Sequence, residues 1–159
     1  MSLKYVIYIV LISLLLFSCN SDNDTPIDET DVTDSVLIEI NKLRATGCKC
    51  GADDMPAVPP LVSNPLLTKT AVSYAYDMNT RNYFSHISPE GTSPIQRASA
   101  VGYTGKYVGE VIARNYNSSA EVVIGWKNSE DHCKAMMSNM YVEMGAGKSG
   151  KIWVANLGK

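Results

Sequence analysis

The sequence predicts an α+β or layered αβα domain. Three observations carry that class: an early apolar pattern at helical spacing, a second helix opened by Asn64-Pro65, and late strand-like segments closed by a hairpin.

In DSVLIEINKLRATG, Val36, Ile40 and Leu43 recur at helical spacing, with Asp34 or Ser35 as cap and Gly47 as stop. KCGADDMPAVPPLVS holds three prolines among other turn formers and reads as a connecting loop. Asn64 then caps a helix with proline at its first position, and Leu67, Ala71, Tyr74 and Met78 share one of its faces. YFSHISPEGT is irregular. Ser93-Pro94 starts a short helix, PIQRASAV, which Gly102 ends. YVGEVIAR, from Tyr107 to Arg114, is expected as a strand or extended segment. Ser118 or Ser119 caps AEVVIGWKNS, whose Val122, Val123 and Trp126 are apolar, and His132 follows at the end of that helix. YVEMGAG and KIWVANLG should pair as a hairpin turning at Lys148-Ser149-Gly150.

The N-terminus speaks to compartment. Lys4 precedes an apolar run of thirteen positions, Tyr5 to Phe17, with Ser13 its one polar residue. That run is short of the ~20 residues a membrane span needs, and suits the core of a signal peptide. LFSC, ending at Cys19, looks like a bacterial lipobox. Residues 1–18 are thus expected as a lipoprotein signal peptide, with Cys19 taking up lipid. NSDNDTPIDETDVTD holds six acids and no base, so residues 19–34 read as a disordered tether with a reach of roughly 20 Å. Residues 35–159 form the domain. The chain's formal charge is −2. Without Lys4 and the tether acids the domain keeps 13 bases against 10 acids. That balance is too weakly basic to point to nucleic acid.

GAGKS, Gly145 to Ser149, lacks the earlier glycine of a phosphate-binding loop, which Val142 replaces. It reads as a hairpin turn. With Cys19 assigned to lipid, Cys48, Cys50 and Cys133 remain, and export implies an oxidising compartment. Cys48 and Cys50 are too close in sequence to bridge without strain, so one of them should reach Cys133. A Cys-x-Cys metal site is the rival and lacks the paired spacing of structural zinc. The only two histidines are His86 and His132, with Glu110 almost midway between them. Two imidazoles and a carboxylate from separate elements suit a borderline divalent cation such as zinc.

YFSHISPEG, QRASAVGY, GEVIA, VVIGWKNSEDHC and VEMGAG occur in that order between Tyr83 and Gly147. Together with NPLLTKTAVSYAYDM they resemble the bacterial branch of the CAP superfamily over most of Ile38–Gly158. That superfamily comprises the cysteine-rich secretory, antigen 5 and pathogenesis-related 1 proteins. The resemblance implies a three-layer αβα sandwich, with a central antiparallel sheet between helical layers and one cleft. It places the cleft histidines on His86 and His132 and the cleft glutamate on Glu110, with metal among the three.

This chain also departs from the family pattern. Ser129 stands where animal and plant members have a second glutamate, which Glu130 or Asp131 could replace only after a rotation of about 100° on a helix. Val111, Val154 and Ala155 stand at positions usually polar, which favours binding over catalysis. Cysteine following His132 matches an alternative bacterial form, and the expected bridge is Cys50–Cys133, with Cys48 the other candidate.

The favoured expectation is a lipid-anchored binding module of the bacterial cell envelope, facing the periplasm or the exterior. Its cleft would take a divalent metal such as zinc and a sterol, lipid or other small ligand. A metal-dependent hydrolase using Glu110, and an adhesion or scaffold module with a vestigial cleft, are the alternatives. There is no HExxH helix, and Ser85 and His86, as chain neighbours, do not make a nucleophile–base pair.

Overall fold

A computed structural model describes residues 29–159. The expected signal segment, Cys19 and the tether as far as residue 28 lie outside the described residues. The elements are α1 (Glu29–Thr46), β1 (Cys48–Cys50), β2 (Asp53–Met55), β3 (Val62–Ser63), α2 (Pro65–Thr80) and α3 (Pro94–Ala100). They continue with β4 (Val108–Arg114), α4 (Ser119–Lys127), α5 (Glu130–Met137), β5 (Glu143–Ser149) and β6 (Ile152–Gly158).

Strand β6 is buried along its whole length. That is why IWVANLG is an almost unbroken apolar run, as a strand covered on both faces requires. Trp153, Ala155 and Leu157 pack with Val36, Ile40, Val122 and Trp126 of α1 and α4. On the other face, Ile152 and Val154 pack with Ala71, Tyr74, Ala75 and Met78 of α2. Helices therefore cover both sides of the sheet, and the fold is the αβα sandwich.

The sheet order is β3-β5-β6-β4. β4 and β5 each pair antiparallel with β6, as expected, while the two-residue β3 adds a parallel edge to β5.

Two glycines set how deeply α2 lies on the sheet. A Cβ on Gly145 would collide with the backbone of Leu67 and Thr68, and one on Gly147 with that of Ala71 and Val72. The helix rests directly on β5 because neither glycine carries a side chain. Asn64 pins the start of α2: its Oδ1 accepts from the N–H groups of Leu66 (2.9 Å) and Leu67 (3.2 Å). Its own N–H donates to Met144 O at 2.7 Å.

Four local expectations change. Helix α1 begins at Glu29, not beside Asp34 or Ser35, so the domain starts inside the expected tether. The reason is Thr33, 1% exposed, whose hydroxyl donates to Ala146 O (2.9 Å) and accepts from Ala146 N–H (3.2 Å). β3 is too short to pair with β5 at that position, and Thr33 fills in for it. The expected connecting loop contains the β1–β2 hairpin and β3. The helix read through WKNSEDH breaks after Lys127 and restarts at Glu130, so His132 begins a helix instead of ending one. The last hairpin turns one residue later than expected, with Gly150 at φ 54°.

Gly145→Ala should cost at least about 2 kcal/mol, because backbone atoms cannot yield to the new methyl as a side chain could. Urea unfolding of the variant beside the wild type checks this through the midpoint. An unchanged midpoint would show that α2 can lift from the sheet at little cost.

Candidate functional site

The loop after α2 is braced before it presents His86. Tyr74, on the buried face of α2, donates its hydroxyl to Ser85 O at 2.6 Å. Ser85 Oγ accepts from Ile87 N–H at 3.1 Å, so this serine braces the loop. The Ser-Pro-Glu-Gly turn closes through Gly91 N–H to Ser88 O (2.8 Å), with Gly91 at φ 82°. Glycine is needed there because that φ costs other residues strain. Ser88 and Thr92 then share a hydroxyl contact of 2.7 Å.

Glu110 lies on β4 with its side chain 1% exposed. His86 Nδ1 is 2.9 Å from its Oε1, and Arg97 Nη2 of α3 donates to its Oε2 at 2.6 Å. A buried carboxylate is tolerated only when paired, and here both oxygens are engaged. Arg97 is itself held firmly: Nη1 donates to Thr92 O (2.6 Å) and His86 O (3.1 Å). Its guanidinium lies 3.4 Å from the centroid of the Tyr74 ring. With Nδ1–H committed to the carboxylate, His86 offers Nε2 as a lone-pair donor. The imidazole is 46% exposed, so that nitrogen is accessible.

His132 is the third residue of α5, and its ring centroid is 6.3 Å from that of His86, with the planes at 51°. Burial, reinforced by the neighbouring His86, pulls the His132 pKa below its ordinary value, against the pull of Asp131. The positive end of the α5 dipole acts in the same direction. Beside this pair runs a groove of about 280 Å³, lined by Phe84, Arg114, Tyr116, Trp126, Ser129 and His132. Arg114 reaches over the Phe84 ring at 5.1 Å. A roomier pocket of about 560 Å³ between α1 and α2, lined by Thr33, Thr68 and Lys69 among others, holds neither histidine.

The structure thus brings His86, Glu110 and His132 together from three elements. Glu110 stands behind His86, however, not beside both rings. Glu130 does not replace the absent carboxylate; it bonds Lys134 at 2.6 Å. Val111, Val154 and Ala155 are fully buried in the core, so their apolar character bears on packing and not on the cleft. Cys50 and Cys133 form a disulfide, with Cα atoms 5.4 Å apart, and Cys48 is free.

Three residues escaped the sequence reading. QRASAV marks a helix, but nothing in it says that Arg97 neutralises Glu110; the available signal was that a carboxylate between apolar residues of a strand needs a cation. Tyr74 reads as core and also stacks on that cation. Asn156 lies opposite Glu110 in the β4–β6 register, fully buried. Neither of its side-chain polar atoms, nor Arg97 Nε, has a hydrogen-bond partner among the described residues. They extend the polar floor beneath the histidine pair.

Arg97→Leu should cost about 3 kcal/mol or more, since it strands the buried Glu110 carboxylate. Chemical denaturation of both proteins at neutral pH measures the loss. For His132 the folded pKa lies below the unfolded one, so the unfolded chain binds more protons between the two. Stability present above about pH 6.5 should therefore be lost as pH falls through the folded value. In chelator-treated buffer the wild type should show this slope and His132→Asn should show less of it.

The Cysteine-rich secretory protein family (CAP) matches residues 37–151 of the chain. The uncharacterized protein YkwD of Bacillus subtilis is 38% identical over 96 residues, 59% of this chain and 37% of that protein. The uncharacterized membrane protein YlbC of the same organism is 35% identical over 88 residues, 55% of this chain and 25% of that protein. The chain thus matches well under half the length of either relative. Among solved structures, an extracellular protein containing a SCP domain from Bacillus anthracis superposes with a TM-score of 0.68 at 23% identity, covering 85% of this chain and 44% of that one. An outer surface protein from Borrelia burgdorferi gives 0.66 at 22% identity, covering 86% and 95%. These two likenesses show a shared fold. With the family match spanning most of the domain, the chain belongs to the cysteine-rich secretory protein (CAP) family.

Proposed function

We propose that this CAP domain is a binding module of the bacterial cell envelope, held to a membrane by lipid on Cys19. Its cleft binds a divalent cation through His86 and His132, with a small or lipidic ligand in the adjoining groove. The observation that carries the reading is the facing pair of imidazoles, one of them oriented by a buried carboxylate.

The donor set fits zinc. With Zn–N bonds of about 2.0–2.1 Å, two imidazoles sharing one ion have centroids roughly 5–6 Å apart, close to the separation seen here. Neutral imidazole suits such a cation, and the Glu110 contact keeps His86 in the tautomer that donates from Nε2. When bound, the ion would supply positive charge and coordination sites for a ligand's oxygen atoms. Phe84 and Tyr116 offer apolar surface beside it, and Arg114 offers a cation for an acidic head.

Binding is favoured over hydrolysis. A hydrolase needs a base free to take a proton from the attacking water. Both Glu110 oxygens are held by His86 and Arg97, and Ser129 cannot take that role. LFSC and the acidic segment after it support the anchor. The printed descriptions of the two structural relatives, an extracellular and an outer surface protein, support the envelope location.

Calorimetric titration of the non-lipidated Cys19→Ala chain with Zn²⁺ tests the cleft. His86→Ala and His132→Ala should each abolish or severely weaken binding, and Glu110→Gln should weaken it about 10-fold or more. Wild-type affinity in both histidine variants would sink the shared site. In the same expression system, labelled palmitate should enter the wild type and be absent from Cys19→Ala.

A further inference from the structure

We propose that Cys48, Cys50 and Cys133 form an internal thiol–disulfide exchange site in which Cys48 is the attacking thiol. Side chains two residues apart on a strand share a face, so Cys48 and Cys50 of β1 both point toward α5. One cysteine of α5 therefore meets two of β1. Cys133 is bonded to Cys50, and the Cys48 sulfur lies 3.7 Å from Cys133 Sγ and 4.0 Å from Cys50 Sγ. The free thiol is thus already in contact with both atoms of the disulfide, and nearer to Cys133.

The surroundings favour a contained reaction. Cys50 and Cys133 are fully buried, with Met137 in their cluster and Leu43, Met55 and Val58 packed against it. Cys48 is half-buried, so it is the one sulfur of the three that solvent reaches. Burial raises the Cys48 thiol above its ordinary pKa, and the nearby Lys127 of α4 opposes that shift. Among the other charges of the hairpin and α5, Lys49 pairs with Asp54, and Lys134 with Asp53 and Glu130; Asp131 is the remaining acid of α5.

In the exchange, Cys48 loses its proton and its thiolate attacks Cys133 Sγ. The Cys48–Cys133 bond forms as the Cys133–Cys50 bond breaks, and the electron pair leaves on Cys50 Sγ, which takes up a proton. One disulfide and one thiol give one disulfide and one thiol, so no oxidant or reductant enters. Attack at Cys133 keeps β1 tied to α5. Attack at Cys50 would join two cysteines only two residues apart and release the helix. The bridge therefore moves two residues along β1 and ends on the half-exposed Cys48. In that register an external thiol, from a small molecule or from a partner's cysteine, can reach a sulfur of the bridge.

Trypsin makes the test direct, because cleavage after Lys49 places Cys48 and Cys50 on separate peptides, 45–49 and 50–69. The full chain bearing Cys19→Ala is held without oxygen or added thiol at about pH 8.5, near the ordinary thiol pKa. It is then acid-quenched, denatured and alkylated at acid pH. A shift of label from Cys48 to Cys50 is expected, with a linked 45–49/128–134 pair and no dependence on protein concentration. That label should be lost in Cys48→Ser, and Cys50→Ser should oxidise to a Cys48–Cys133 bridge in a glutathione buffer. Label confined to Cys48, label on Cys50 that rises with protein concentration, or two persistent free thiols in Cys50→Ser would each overturn the proposal.

Discussion

The depth at which α2 sits on β5 governs the core and the cleft alike. Gly145 and Gly147 let helix backbone touch strand backbone, and the inner face of α2 enters the core as a result. Tyr74 lies on that face. Its ring supports the Arg97 guanidinium, and its hydroxyl fixes the backbone just before His86. A helix held even a methyl's width further out would carry Tyr74 away from both partners. The glycines of VEMGAG, distant in sequence from the histidines, thus act on the cleft through packing alone.

The second constraint is electrostatic. Glu110 is carried into the interior by strand alternation, and its charge is tolerated only because Arg97 and His86 meet its two oxygens. The same contacts that offset its desolvation also orient the exposed histidine. Arg44 poses the converse problem at the far end of α5. Its guanidinium, 1% exposed, donates to Pro59 O, Met136 O, Ser138 O and Tyr141 O. Burial pulls its pKa down, but the four carbonyls supply the solvation that water would have given. Arg44 holds the C-terminal end of α5, and the Cys50–Cys133 bridge holds the N-terminal half. The helix that presents His132 is therefore fixed from both directions.

The cleft is open beside a rigid floor. Loop residues from Phe84 to Ile87 are exposed, whereas Glu110, Asn156 and Tyr74 beneath them are buried. That contrast supports the binding proposed above, because the polar partners beneath the loop are already placed. The groove beyond His132 adds aromatic surface without adding another carboxylate, which is the chemistry that sets this cleft apart from a two-glutamate arrangement.

Much was legible in the chain itself, for local reasons. Asn64-Pro65 marks a helix start because the cap geometry needs only neighbouring residues. YVEMGAG and KIWVANLG mark a hairpin because strand runs on either side of a turn need only neighbouring residues. The ordered motifs single out His86, Glu110 and His132, of which the structure sets His86 against Glu110 and faces it with His132. What the sequence could not decide was how unmet demands far apart in the chain are satisfied. Thr33 joins the domain because β3 ends too soon and leaves the backbone of Ala146 wanting partners. Arg97 became part of the site because Glu110 is buried, and burial is a property of the assembled sheet. Cys50, not Cys48, carries the bridge, yet both cysteines share one face of β1 and only the position of α5 separates them. Local pattern specifies elements; the choice of partner depends on distance and burial, which exist only once the elements have packed.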